Sequence, residues 1–195
     1  MRQQLEELLD EVLQRPHERP EIEQRIRQTF GEERAVMVLD MTGCSRTAQT
    51  HGIVPCLVMI HQLRKLADAP IRAHGGTIVK AEGDNLFCLF DCVEDAVAST
   101  RAIAARLDAV NVVLPRELEL YASIGIGFGP VLNLGDDLWG NEVNLASKLG
   151  EDLAGHGEVL LTETAAVSLG EAAPAWEERS TNLSGLELRY YALLG

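Results

Sequence analysis

The sequence predicts an α+β fold, a mixed sheet covered by helices. Two patterns carry this. Residues 77–82 and 86–90 are strand-like runs flanking Gly83-Asp84-Asn85, a hairpin signature. Elsewhere strand-like runs alternate with longer helical patterns, so hairpins are mixed with crossover helices and a doubly wound parallel sheet is excluded. With 195 residues, 46% of them hydrophobic, the chain can bury a proper core.

The elements follow in order. Leu5, Leu8, Leu9, Val12 and Leu13 recur at helical spacing, Pro16 and Pro20 interrupt, and a second short helix starts at Glu21. These charged helices form an N-terminal extension over residues 1–32, ahead of a domain over 33–195. Ala35 to Asp40 reads as a strand, and a helix from near Arg46 to Asp68 carries Val54, Leu57, Val58, Ile60, His61 and Leu63 on its buried side, with Gly52 and Pro55 distorting its start. Gly75-Gly76 is a turn into the hairpin. A helix follows over 93–108, a strand over 118–127, a helix over 141–153, a strand over 159–162, a short helix over 163–169 and a terminal strand over 186–194.

A net charge of -13 repels nucleic-acid backbones, so DNA and RNA are excluded as partners. No apolar run approaches a membrane span, and the polar N-terminus is no signal peptide, which points to a cytoplasmic protein. The four cysteines, Cys44, Cys56, Cys88 and Cys92, lack metal-ligand spacing and read as reduced core residues.

Asp40 closes an apolar strand and Asp84 follows Gly83 in the hairpin turn. A carboxylate at such a place is costly unless it meets a cation, and the pair suggests a hard divalent ion. The turn Thr42-Gly43-Cys44-Ser45 leads from strand to helix, where free N–H groups can cradle phosphate oxygens. It is not a Walker loop, and alone it would be an ordinary connection. On a helix over 141–153, Asn144 and Lys148 share one face, suited to a ribose oxygen and a phosphate, though such a pair is also common on a solvated face. Phe87 and Phe90 read as core, Trp139 and Trp176 as packing aromatics, the histidines as surface or packing residues, and Glu82 as facing away from Lys80.

Four ordered motifs carry a resemblance: Asp40-Met41-Thr42-Gly43, Lys80-Ala81-Glu82-Gly83-Asp84, Gly125-Ile126-Gly127-Phe128-Gly129-Pro130-Val131, and Trp139-Gly140-Asn141-Glu142-Val143-Asn144-Leu145-Ala146-Ser147-Lys148. Over roughly residues 33–193 the chain resembles the catalytic domain of class III nucleotidyl cyclases. The resemblance implies a ferredoxin-like core with a mostly antiparallel sheet, and a head-to-tail homodimer with sites in its interface. It implies two Mg²⁺ or Mn²⁺ ions on Asp40 and Asp84, with the Met41 carbonyl as a further ligand. It places base selection on Lys80 and Asp137, ribose orientation on Asn144 and transition-state charge on Lys148. Lys with Asp is the adenylyl pairing, so the implied substrate is ATP and the products cyclic AMP and pyrophosphate.

Three departures bear on activity. The transition-state position holds Lys148 in place of arginine, which keeps the charge but loses the planar fork. A triphosphate-binding lysine near the C-terminus is matched by Ser184, with Arg179 or Arg189 as stand-ins. The stretch between Pro130 and Asp137 is shorter than the family's dimer-embracing arm. A silent or weakly active module for regulation or dimerisation is the alternative these departures favour. A diguanylate cyclase would carry a different turn from Glu82-Gly83-Asp84-Asn85-Leu86.

Overall fold

The computed structural model describes residues 1–170, 175–183 and 186–194; Ser184 lies outside them. Helices α1 (Arg2–Gln14) and α2 (Arg19–Phe30) form the N-terminal hairpin, and β1 (Gly31–Thr42) follows α2 without a loop. Then come α3 (Cys44–His51), α4 (Ile53–Ala73), β2 (Thr77–Glu82), β3 (Asn85–Phe90), α5 (Val93–Asn111), β4 (Tyr121–Asn133), β5 (Leu138–Trp139) and α6 (Asn141–Ser147). The chain continues through β6 (Val159–Thr162), α7 (Glu163–Leu169), β7 (Trp176–Leu183) and β8 (Leu186–Leu193).

The sheet order is β2-β3-β1-β4-β6-β8-β7, with β5 added to β4. Among the described residues only the β4–β6 pairing is parallel; the others are antiparallel, as expected for the α+β class. The sheet is covered on both faces. Ala35, Met37, Leu39 and Met41 of β1 join a core built with α4, α5 and α7. Val36 and Val38, on the opposite face, pack with Phe87, Leu89, Val143 and Ala146 under α6. Strand alternation therefore turns Asp40 toward the α6 face.

Several expectations need correction. The helix expected from Arg46 is two helices, broken at Gly52, whose φ of +89° favours glycine. Of its expected buried side, Ile60 and Leu63 are buried, but Val54, Leu57 and Val58 are 65%, 53% and 59% exposed, and His61 is exposed too. The packed face runs instead through Cys56, Met59, Ile60, Leu63, Ala67 and Ile71; apolar residues surround the first turns, so periodicity did not single out one face. The helix over 141–153 ends its α form at Ser147 and finishes as a π turn, Lys148–Leu153. The fourth strand starts at Tyr121 and runs to Asn133, and β7 was not anticipated. Trp139 is 58% exposed rather than packed, whereas Trp176 packs on Tyr191 as expected.

Cys44 and Cys56 are joined as a disulfide, their Cα atoms 5.3 Å apart, contrary to the reduced state expected for both. The break at Gly52 folds α3 back on α4 and brings the sulfurs together. Cys88 and Cys92 are free. Among the described residues, no helix is long and apolar enough to cross a membrane.

Candidate active site

Asp84, distant from Asp40 in sequence, lies near enough for its charge to act on the Asp40 carboxyl. Burial first, then the charges of Asp84 and Glu151, push the Asp40 carboxyl up to about 7, against a weaker opposing bond from the Met41 N–H. Glu151 arrives on the π turn. There Gly150 lies so close to β1 that a Cβ would stand 2.9 Å from the Val38 carbonyl oxygen and 3.0 Å from the Gly125 nitrogen. Glu151 is itself raised, by burial and then by Asp152, with Asp84 contributing.

The charges of Asp84 and Glu151 thus both reach the Asp40 carboxyl, a repulsion that a cation there would relieve. Two oxygens near the aspartates in sequence are also without a partner. Among the described residues, the buried side-chain polar atoms without a hydrogen-bond partner are Thr42 Oγ1, Arg64 Nε and Asn85 Oδ1. Thr42 and Asn85 sit beside the two aspartates in sequence, and Arg64 donates to the Gly83 carbonyl at 2.5 Å, holding the turn that presents Asp84. Orphaned polar atoms ask for a polar ligand. Side chains alone do not make a cage: among the described residues, no group of three or more His, Cys, Asp or Glu is gathered closely enough to hold a metal ion. The Met41 side chain lies in the core at 2% exposure, so only its backbone could serve as a ligand.

Lys80 and Asp137 form a second constellation. Lys80 Nζ lies 2.9 Å from Asp137 Oδ1 and 4.5 Å from the centre of the Phe87 ring. Burial pulls the Lys80 pKa down, but its bonds to Asp137 and Glu82 outweigh this and leave it raised. Burial likewise pushes Asp137 up, and the bonds from Lys80 and the Leu138 N–H reverse it, leaving a lowered carboxyl. Both groups are therefore charged and poised as donor and acceptor. Glu82 reaches Lys80 at 3.1 Å, against the expectation that it faces away; residues two apart share a strand face.

Asn144 is exposed on α6, and Lys148 follows where the helix passes into the π turn. Lys148 bonds Asp152 at 2.6 Å, which raises its pKa. Among the described residues, no hydrogen bond or ion pair joins Asn144 or Lys148 to Asp40 or Asp84. The Thr42-Gly43 turn enters α3 with Gly43 at φ +94°, and Cys44 is buried against Cys56, so its backbone alone faces the turn. Arg179, a suggested stand-in cation, is held by Glu177 and Glu158, and Arg189 lies 4.0 Å from Glu163.

Sequence reasoning missed Glu151, Arg64 and Asn85. A signal existed for Glu151, which is seven residues after Asn144 and so falls on the same helical stripe.

Solved structures with this fold include an adenylate/guanylate cyclase/hydrolase from Silicibacter pomeroyi, with a TM-score of 0.74, 21% identity and coverage of 85% of this chain and 98% of that one. The adenylyl cyclase CyaB from P. aeruginosa has a TM-score of 0.67 at 20% identity, covering 85% and 96%. An uncharacterized protein of Mycobacterium tuberculosis is 31% identical over 134 residues, covering 68% of this chain and 32% of its own length. The chain spans only 22% to 32% of the curated relatives it matches. The adenylate and guanylate cyclase catalytic domain matches residues 28–195, and with that match the chain belongs to this family of nucleotide cyclases.

Proposed function

We propose that the chain is an adenylyl cyclase, converting ATP to 3',5'-cyclic AMP and pyrophosphate at a homodimer interface. The observation that carries the choice of adenine is the meeting of Lys80 and Asp137 at 2.9 Å. A lysine donor suits adenine N1, and an aspartate acceptor suits the 6-amino group. Guanine presents the reverse pattern and would leave both groups unpaired.

The remaining residues take complementary roles. Asp40, Asp84 and the Met41 carbonyl would hold Mg²⁺ or Mn²⁺. Two such ions, when bound, supply activation of the 3'-hydroxyl and charge neutralisation at the leaving oxygens. N–H groups of the Thr42, Gly43, Cys44 and Ser45 turn, at the start of α3, take phosphate oxygens. Asn144 orients the ribose, and Lys148 offers charge to the α-phosphate as it becomes pentacovalent. Among the described residues no hydrogen bond or ion pair joins this pair to the aspartates, which suits a site shared between two subunits. The head-to-tail homodimer supplies it, with one protomer giving the acidic half and its partner the base pocket, Asn144 and Lys148.

The test is cyclic AMP formation by the purified protein with Mn²⁺, with Asp40→Ala and Asp84→Ala as controls. Product from the parent and none from either variant is expected; no product at any protein concentration defeats the proposal. A second reading, a nucleotide-binding module without turnover, is favoured by Lys148 being tied to Asp152 and by Arg179 and Arg189 facing acidic partners. Calorimetry showing ATP binding without product would select it.

A further inference from the structure

The N-terminal hairpin reaches the base-reading pair. Leu134, on the turn between β4 and β5, is buried among Leu8, Ile22, Ile26 and Phe30 of α1 and α2, with Leu5 and Leu132 packed beside them. The turn closes through the Leu134 N–H donating to the Asp137 carbonyl at 2.9 Å. The helices thus grip the peptide that presents Asp137, and they bring Arg2 with them. The Arg2 guanidinium lies 3.4 Å from Asp137 Oδ2 and 3.8 Å from Asp136 Oδ2.

The two oxygens of Asp137 are not equivalent. Oδ1 accepts from the Leu138 N–H at 2.9 Å and from Lys80 at 2.9 Å. Oδ2 is left to accept a donor from a purine, and Arg2 points at that same oxygen. A 6-amino group must share Oδ2 with a guanidinium and places its own N–H groups beside cationic donors. A 6-keto oxygen at the same place would accept from Arg2.

We propose that Arg2 is a specificity-determining residue of this pocket, acting on Asp137 and shifting base preference from adenine toward guanine. This rests on the reading of Lys80 and Asp137 as the base selectors. Arg2 does not build the pocket, since its side chain is 57% exposed while those of Lys80 and Asp137 are 25% and 15% exposed. It tunes a site formed without it. An exposed ion pair limits the effect to about fivefold.

The experiment measures the affinities of non-cyclisable ATP and GTP analogues by calorimetry, on the full chain with Mn²⁺, for the parent, Arg2→Gln, Arg2→Lys and Asp137→Asn. Arg2→Gln should raise the ratio of ATP to GTP affinity by about two- to fivefold at low salt. Arg2→Lys, keeping the charge, should stay near the parent ratio. The difference should shrink at about 0.5 M salt, because an exposed pair is screened. A purely structural role for Arg2 would move both affinities together and leave the ratio alone, and that result overturns the proposal. So does a ratio that moves toward guanine. If Asp137→Asn changes neither affinity, or no analogue binds the parent, the base-pocket reading has failed and Arg2 falls with it. If Asp137→Asn weakens the ATP analogue while Arg2→Gln leaves the ratio unchanged, Arg2 alone is refuted.

Discussion

Replacing Asp40 by asparagine should stabilise the metal-free protein at high pH and do nothing at low pH. The folded carboxyl titrates at about 7 against an ordinary value of 3.8, chiefly through burial and then through Asp84 and Glu151. Below 3.8 the group is neutral in both folded and unfolded chains, so Asp and Asn should be equivalent. Between 3.8 and about 7 the unfolded chain has released its proton and the folded one has not, so stability falls as pH rises. Above 7 the whole penalty is present. A rise of about three pH units converts to about 4 kcal/mol at full burial, and solvent reaching the half-buried carboxylate reduces this to about 2 kcal/mol. For a domain of this size that is about 4–8 °C in Tm. Thermal melts of the parent and Asp40→Asn at pH 4 and pH 8, without metal, make the comparison. An asparagine variant no more stable at pH 8, or equally offset at both pH values, refutes the crowding of charge from which the metal site was inferred. Adding Mn²⁺ at pH 8 should raise the melting temperature of the parent and not of the variant.

Further outcomes follow from other contacts. Lys148→Arg should raise kcat with little change in KM, because the bidentate grip it restores is realised mainly in the transition state; equal kcat would show that the lysine already suffices. Gly125→Ala should cost about 3 kcal/mol or more in a urea titration, since its Cβ would stand 2.0 Å from the Ala146 carbonyl oxygen and force α6 off the sheet. Wild-type stability in that variant would mean that α6 is not seated on β4 as described.

The legibility of this chain differs from one element to the next. The hairpin at 77–90 was plain because its glycine turn and flanking apolar runs are local features. Asp40 and Asp84 stood out because a carboxylate beside an apolar strand has few innocent explanations, and in the fold the charge of Asp84 reaches Asp40. The buried side of α4 was misread because Ile53, Val54, Leu57 and Val58 put apolar residues on a face that none of the described residues covers. The disulfide depended on a backbone break at Gly52 and could not be read from the separation of 12 residues alone. The partners of Lys80 were half visible: Asp137 came with the motif, whereas Glu82 followed from strand geometry and was assigned to the wrong side. Arg2 was invisible, since its position is set by a tertiary contact through Leu134.

The direct passage from Phe30 into Gly31 has a mechanical result. Most helices hand over to a strand through slack that absorbs small movements, but here helix and strand abut. Adding a Cβ at Gly31 would bring it to 2.3 Å from the Arg27 carbonyl oxygen, so even the joint is tight. A displacement of the second helix therefore has little slack to absorb it before it reaches the strand that carries Asp40.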